Sequence, residues 1–320
     1  MIPDVAVIII SYNSAPHLGK CLESVYAQCG RVSLEVIVLD NESEDESTDL
    51  VRRRFPTVKL IRPGRNLGFA AGVNHAARHA TADYLLLLNP DTILLDHAID
   101  VIVEFARRAP CHGLYGGRTL RADGELEPSS CWGLPSLWSL AMFASGMNSI
   151  GRRNRLFDPE SLGKWPRDTA REVGIISGCY LLLPRAVWQE LGGFDERFFM
   201  YGEDADLAIR ARAAGYRPML CPGARLIHHV GQSSTRADKL LLLQLGKATL
   251  LRTHWRGLSR WLGLNLLLTG TGVRALVALI VRRPTTERWL TVWRQRQQWM
   301  QGYSSVNAGS ISQSDLSAAA

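Results

Sequence analysis

Residues 5–40 read VAVIIISYNSAPHLGKCLESVYAQCGRVSLEVIVLD: two largely apolar runs separated by a stretch of helical spacing. Val and Ile dominate the runs at 5–10 and 34–40, as strands covered on both faces of a sheet require. Residues 16–28 between them place apolar side chains at helical intervals. A strand, a helix and a second such strand form a parallel crossover, so this segment alone predicts an α/β fold.

The pattern continues outward. VKLIR (58–62) and YLLLLN (84–89) have the character of buried strands, and 46–55 and 68–80 have helical spacing. ESEDEST (42–48) supplies acids where a helix N-terminus favours negative charge. The prediction is a mostly parallel, doubly wound central sheet, whose ligands bind beyond the carboxyl ends of the strands. Those ends read Ser11-Tyr12-Asn13, Asp40-Asn41 and Asn89-Pro90-Asp91. No strand is followed by G-x-G-x-x-G and no G-x-x-x-x-G-K-[ST] occurs, so neither a dinucleotide fold nor a P-loop is supported.

Further along, EVGIISGCYLLLPRAVWQELGGF (172–194) predicts a strand running into a short helix closed by Gly192-Gly193. MYGEDADLAIRARAAGY (200–216) then crowds Glu203, Asp204 and Asp206 at a helix start, and RPMLCP (217–222) and RLIHHVG (225–231) predict two more strands. Residues 123–172, rich in Pro, Ser, Trp and Arg, are expected to form an irregular loop or lid, and residues 302–320 a disordered tail.

With 320 residues the chain can bury a substantial core, and 46% apolar against 21% charged residues fits neither disorder nor a polytopic membrane protein. The net charge of +7 is concentrated: residues 239–301 hold eleven Lys/Arg against one Glu, and five of the nine tryptophans. Cationic side chains attract anionic headgroups and Trp favours the water–hydrocarbon boundary, so this segment is expected to meet an anionic membrane surface, with nucleic acid the rival partner. Residues 261–281 are long enough to span a bilayer. Arg274 opposes a span, because a central Arg costs about 2.5–3.5 kcal/mol. Thr269–Gly272 is expected to break the helix, leaving two amphipathic helices lying in the interface, with a packed helical subdomain and a true span as the alternatives. The six cysteines include no C-x-x-C pair and are expected to act as small buried hydrophobes. The N-terminus lacks the basic region of a signal peptide, so a cytosolic location is expected.

The strand-end carboxylates permit specific chemistry. Asp91, following Pro90, could ligate a hard divalent cation that neutralises a diphosphate, and Asp40 could accept hydrogen bonds from a base or ribose; either also suits a turn or a helix cap. Asp204 sits above the apolar stripe of Leu207, Ala208 and Ala211, a held position for a general base, although acids there also complement the helix dipole. His228 and His229 are adjacent on a predicted strand and face opposite ways, so at most one readily enters a site, where an imidazole suits Mn²⁺; a structural role is the alternative for each.

VAVIIISYNS, LEVIVLDNES, RNLGFAAGVNHA, YLLLLNPDT, the run from Ser177 to Tyr216, and HHVGQSS together resemble inverting glycosyltransferases of family 2, which have the GT-A nucleotide-sugar fold. The likeness covers about residues 3–235 and is greatest to the bacterial rhamnosyltransferase branch, which builds cell-envelope polysaccharide on lipid-linked acceptors. It implies a nucleoside-diphosphate sugar donor, with Ser11, Tyr12 and Asp40 around the base and ribose and Asn66, Gly68 and Asn74 lining the donor pocket. It also implies Mg²⁺ or Mn²⁺ at Asp91 and at His228, three residues before Gly231. Asn89 replaces the first Asp of the family's D-x-D signature, which leaves Asp91 as the main carboxylate ligand. Asp204 matches the catalytic base, with Glu203 orienting the acceptor or supporting Asp204, while Asp206 serves the helix.

The expected organisation is a GT-A domain over 1–238, a basic Trp-rich helical membrane-associating extension over 239–301, and a tail over 302–320. The branch points to dTDP-L-rhamnose and a polyprenyl-diphosphate-linked glycan acceptor at the inner face of the plasma membrane. A UDP-hexose or UDP-N-acetylhexosamine donor is the alternative within the fold. A sugar nucleotidyltransferase needs a Gly-rich basic stretch after the first strand, which SYNSAPH (11–17) lacks. A nonenzymatic membrane- or nucleic-acid-binding protein would rest on charge confined to 239–301, and nucleic acid is not an expected partner.

Overall fold

The computed structural model describes residues 2–229, 236–281 and 284–303. The first part of the chain alternates as the sequence predicts: β1 (Val5–Ser11), α1 (Ala15–Ala27), β2 (Leu34–Asp40), α2 (Ser47–Arg54), β3 (Lys59–Ile61), α3 (Gly68–Ala77) and β4 (Tyr84–Leu88). Next come β5 (Thr92–Leu95), α4 (Ala98–Arg108), β6 (Tyr115–Leu120), β7 (Cys131–Trp132), α5 (Leu137–Ala144) and α6 (Met147–Ile150). The chain continues through β8 (Arg171–Glu172), β9 (Ile175–Ile176), β10 (Tyr180–Pro184), α7 (Arg185–Leu191), α8 (Glu203–Ala213) and β11 (Met219–His228). Four helices follow: α9 (Arg236–His254), α10 (Gly257–Val281), α11 (Pro284–Arg294) and α12 (Arg296–Gln301).

Two units emerge. The first comprises residues 1–132, 166–195 and 204–233 and contains the main sheet. Its strand order is β3-β2-β1-β4-β10-β6-β11-β5, with β8 beside β11. β3, β2, β1 and β4 are parallel, as are β6 and β11, while β10 runs antiparallel between β4 and β6. Every residue of β1 is buried, because helices cover both faces. Val5, Val7 and Ile9 join Leu18 and Leu22 of α1 and Ile99 and Val103 of α4, while Gly72 of α3 brings its backbone against Ile10 on the opposite face. A Cβ on Gly72 would touch that side chain at 3.5 Å.

β11 replaces the two strands expected over 217–231. Its pairing with β6 shifts register between Leu220 and Arg225, where Pro222 offers no ladder donor and Gly223 follows it. The segment 123–172, expected to be irregular, contains α5, whose start is fixed by reciprocal bonds between Ser136 and Ser139.

The second unit comprises residues 133–165, 196–203 and 234–320, a division different from a single cut after 238. α10 is continuous through Thr269–Gly272, where a break was expected. These glycines serve close packing: a Cβ at Gly270 would lie 2.3 Å from the Phe143 ring, and one at Gly272 3.0 Å from the Trp293 ring. Arg274 faces inward. It donates to the Phe143 carbonyl at 2.7 Å and Asn148 Oδ1 at 2.6 Å, and its guanidinium lies 3.8 Å from the Phe143 ring centre. Burial lowers its pKa to about 10, and the partners recover part of that desolvation cost. Gly302 and Tyr303, expected in the tail, are buried; residues 304–320 lie outside the described residues.

In the first unit Asp100, 3% exposed at the start of α4, receives the N–H groups of Gly30, Arg31 and Val32 at 2.9, 3.0 and 3.1 Å. Burial resists its ionisation, but these bonds win and hold the carboxyl below its usual range. A depressed carboxyl pKa contributes stability above the unfolded value and loses it as pH falls through the folded one. Asp100→Ala should therefore lower stability by about 3 kcal/mol at neutral pH, with the deficit shrinking in acid, as read by denaturant unfolding across pH.

Candidate active site

The register of β1 on β2 sets Ser11 beside Asp40 at the carboxyl end of the parallel block, and the Asn41 N–H bonds the Ser11 carbonyl at 2.7 Å. Asp40 is 1% exposed. Its Oδ2 receives the Ser43 N–H at 3.2 Å and lies 3.5 Å from Arg62 Nε. Among the described residues Asp40 Oδ1 and Ser11 Oγ, both buried, have no hydrogen-bond partner. Buried polar atoms are seldom left unmatched, so two at adjacent strand ends mark a place for a polar ligand. Tyr12 follows, half-buried, with its N–H directed to Ser14 Oγ at 3.3 Å.

The loop leading into α3 is built by Asn41, a strand-end residue to which the sequence assigned no role. Asn41 accepts the Leu67 N–H at 3.0 Å and donates to the Gly68 carbonyl at 2.9 Å, gripping the loop at two points. Asn66 Oδ1 receives the Gly68 N–H at 2.9 Å, and Gly68 has φ 76°, the left-handed conformation glycine accepts without strain. Asn74 clamps the backbone of Phe194: its Oδ1 accepts the Phe194 N–H at 2.9 Å and its Nδ2 donates to the Phe194 carbonyl at 2.8 Å. Reciprocal amide bonds of this kind join a side chain to backbone far away in sequence, which no local pattern displays.

At the end of β4 the Asn89 N–H bonds the Cys179 carbonyl at 3.0 Å, joining this turn to the start of β10. Asp91 Oδ1 lies 3.4 Å from His228 Nε2, and His228 Nδ1 lies 3.3 Å from Ser129 Oγ. Burial disfavours the His228 cation, but the bonds to Asp91 and Cys179 prevail and push its pKa up to about 10. His229 goes elsewhere and stacks on His17 with ring centres 5.9 Å apart. Gly231 lies outside the described residues. No cluster of three His, Cys, Asp or Glu able to hold a metal occurs among the described residues.

Asp204 occupies the first turn of α8 in the first unit. Burial pushes its carboxyl above the usual range, against the N–H groups of Ala205, Gly178 and its own residue. Gly178 directly precedes Cys179, so one short backbone segment bonds both the Asn89 turn and the Asp204 carboxylate. Asp206, 1% exposed, pairs with Arg210 at 2.6 Å, and Arg210 also donates to the Leu191 and Gly193 carbonyls at 2.5 and 2.9 Å. Asp206 thus ties α8 to the end of α7. Glu203, buried at 6% exposure, belongs to the second unit.

The first unit thus gathers paired polar groups at the end of its parallel block, an Asp–His couple at the next strand end and a carboxylate at a helix start. Residues 6–160 match Glycosyl transferase family 2, and residues 165–317 match Glycosyl transferase family group 2. The chain is 31% identical over 286 residues to the N-acetylglucosaminyl-diphospho-decaprenol L-rhamnosyltransferase of Mycobacterium tuberculosis, covering 80% of this chain and 87% of that protein. It is 25% identical over 239 residues to rhamnosyltransferase WbbL of Escherichia coli K12, covering 70% and 83% of the two chains. In fold it is similar to the mannosyltransferase PcManGT from Pyrobaculum calidifontis, solved with GDP-Man and Mn²⁺, with a TM-score of 0.57 and 18% identity over 97% of this chain and 87% of that one. The chain belongs to glycosyl transferase family 2 and is a glycosyltransferase with a GT-A-like fold.

Proposed function

We propose that this enzyme transfers L-rhamnose from dTDP-L-rhamnose, with inversion, to a hydroxyl of a polyprenyl-diphosphate-linked glycan in cell-envelope polysaccharide synthesis. The observation that carries the transfer chemistry is the Asn89–Cys179–Gly178 seam, which bonds the turn carrying Asp91 on one side and Asp204 on the other. The choice of sugar and acceptor is supported by the rhamnosyltransferase of M. tuberculosis, whose name specifies a diphospho-decaprenol acceptor.

The buried Asp40 Oδ1 and Ser11 Oγ suit the polar edge of a base or ribose, with Tyr12 beside them and Asn66 and Gly68 shaping the adjoining loop. With the proton held between them displaced, Asp91 and His228 would offer one oxygen and one nitrogen, a donor set acceptable to Mg²⁺ or Mn²⁺ whose remaining positions phosphate oxygens and water can fill. Such a cation would neutralise charge on the departing diphosphate. Asp204 accepts the proton of the acceptor hydroxyl as that oxygen attacks the anomeric carbon from the face opposite the diphosphate. The carbon–oxygen bond to the diphosphate breaks in the same displacement, so configuration inverts and no covalent enzyme intermediate forms. Glu203 supports the acceptor side of this site.

The features of α10 support a peripheral membrane location. Leu276, Leu279 and Ile280, at helical intervals, are 58%, 57% and 74% exposed, and Trp261 is 60% exposed. The opposite face, with Leu267, Thr271, Ala275 and Ala278, is buried, and Arg274 is bonded within the protein. A helix with one face packed and the other apolar suits a membrane interface better than a span, which supports a peripheral position beside a lipid-linked acceptor, on the cytoplasmic side in this reading.

Asp204→Asn should leave diphosphate binding near normal and reduce transfer at least about 100-fold; near-normal turnover would remove Asp204 as base. In the unaltered enzyme the acid limb of kcat should lie above the ordinary carboxylate range, since Asp204 acts deprotonated and burial raises its pKa. Calorimetric titration of UDP, dTDP and GDP with Mn²⁺ or Mg²⁺, and again with chelator, should give metal-dependent binding favouring dTDP. A preference for UDP would instead indicate a hexose or N-acetylhexosamine donor. The full chain should sediment with anionic but not zwitterionic vesicles, and Leu276→Asp with Ile280→Asp should weaken this at least about tenfold; undiminished binding would refute the α10 face.

A further inference from the structure

α8 begins at Glu203, and the chain arrives there through FFMYG at 198–202. Tyr201 has φ 68° and Gly202 φ 104°, so two successive residues occupy the left-handed region immediately before the Glu203–Asp204 pair. A tyrosine held in that conformation is strained and persists only where its surroundings enforce it.

Within the second unit that enforcement comes from the far end of the chain. Gly246 of α9 lies directly on the Tyr201 peptide: a Cβ there would stand 2.1 Å from the Tyr201 carbonyl oxygen and 2.9 Å from its carbon. A Cβ on Gly202 would in turn lie 3.3 Å from Gly246 Cα. Tyr303, just beyond α12, donates its hydroxyl to the Met200 carbonyl at 2.7 Å and sets its ring edge-on to Phe198, with centres 6.1 Å apart. Tyr303 is itself fixed to α9: its N–H donates to Thr249 Oγ1 at 2.7 Å, and that hydroxyl bonds the Leu245 carbonyl at 2.8 Å. Burial raises the Tyr303 pKa, and the Glu203 charge adds to the rise, so the phenol stays a donor throughout the working pH range. Glycine in mid-helix is disfavoured relative to alanine, and the close approach at Gly246 accounts for its presence.

We propose that Gly246 and Tyr303 are positioning residues for glycosyl transfer: they fix the Met200–Gly202 backbone and so set where Glu203, the residue before Asp204 in the chain, begins α8. The proposal rests on Asp204 being the base. It gives the basic C-terminal segment a part in turnover that is separate from any membrane docking by α10, because the residues involved lie on α9 and after α12.

The test uses the full chain with Tyr303→Phe, which removes a single hydroxyl, and Gly246→Ala, which forces a methyl onto the Tyr201 carbonyl. The expected results are a fall in kcat of roughly fivefold or more for Tyr303→Phe and about 100-fold for Gly246→Ala, with donor KM and calorimetric diphosphate affinity within about twofold of the parent. Unchanged kcat in Tyr303→Phe overturns the proposal, as does a parallel loss of kcat and diphosphate binding matching a lost folded fraction. Should Gly246→Ala fail to fold, Tyr303→Phe decides alone. Asp204→Asn measured alongside separates the two readings. Retained turnover there defeats the base assignment, whereas loss of turnover there with normal Tyr303→Phe and Gly246→Ala defeats only the positioning role.

Discussion

The bond from the Asn89 N–H to the Cys179 carbonyl closes the seam between β4 and an antiparallel β10, and the candidate site is arranged around it. Without that antiparallel insertion a doubly wound sheet would carry its polar groups only on the loops after β1, β2 and β4. With it, Gly178 comes to the carboxyl edge of the parallel block and bonds Asp204, a residue more than one hundred positions from Asp91. The backbone thus fixes where two carboxylates stand, in surroundings that differ. Asp91 lies beside His228, while burial raises the Asp204 carboxyl above its usual range.

Close backbone approach is the second recurring device. Gly72 lets α3 meet Ile10 beneath the loop gripped by Asn41, Gly270 admits the Phe143 ring against α10, and Gly246 accepts the Tyr201 carbonyl. At Gly270 and Gly246 a side chain would push the packed elements apart, whereas at Gly72 it would meet Ile10 in ordinary contact. Helix propensity alone disfavours glycine at these sites, and tertiary packing reverses that preference.

The strands and helices of the first hundred residues were legible because each run obeys a period of its own and is bounded by turn chemistry. The polar residues at the strand ends were also legible, since a parallel sheet gathers them on one edge. Other features had no local signature. The clamps made by Asn41 and Asn74 join residues remote in sequence, and the single strand β11 absorbs Pro222 and Gly223 through a register shift. Thr269–Gly272 has the composition of a break and yet runs as unbroken helix, because Phe143 and Trp293 fill the space beside its glycines.

The sequence by itself determined the alternating α/β core, the edge on which its polar groups collect and the family to which the chain belongs, since short-range periodicity and ordered motifs carry that information. Only the tertiary structure decided how residues 133–165 group with the C-terminal helices, that Arg274 turns inward, and that Tyr303 reaches the Met200 carbonyl ahead of Glu203. Those outcomes depend on which surfaces meet across long stretches of chain, and contact energies between distant residues leave no period in the sequence.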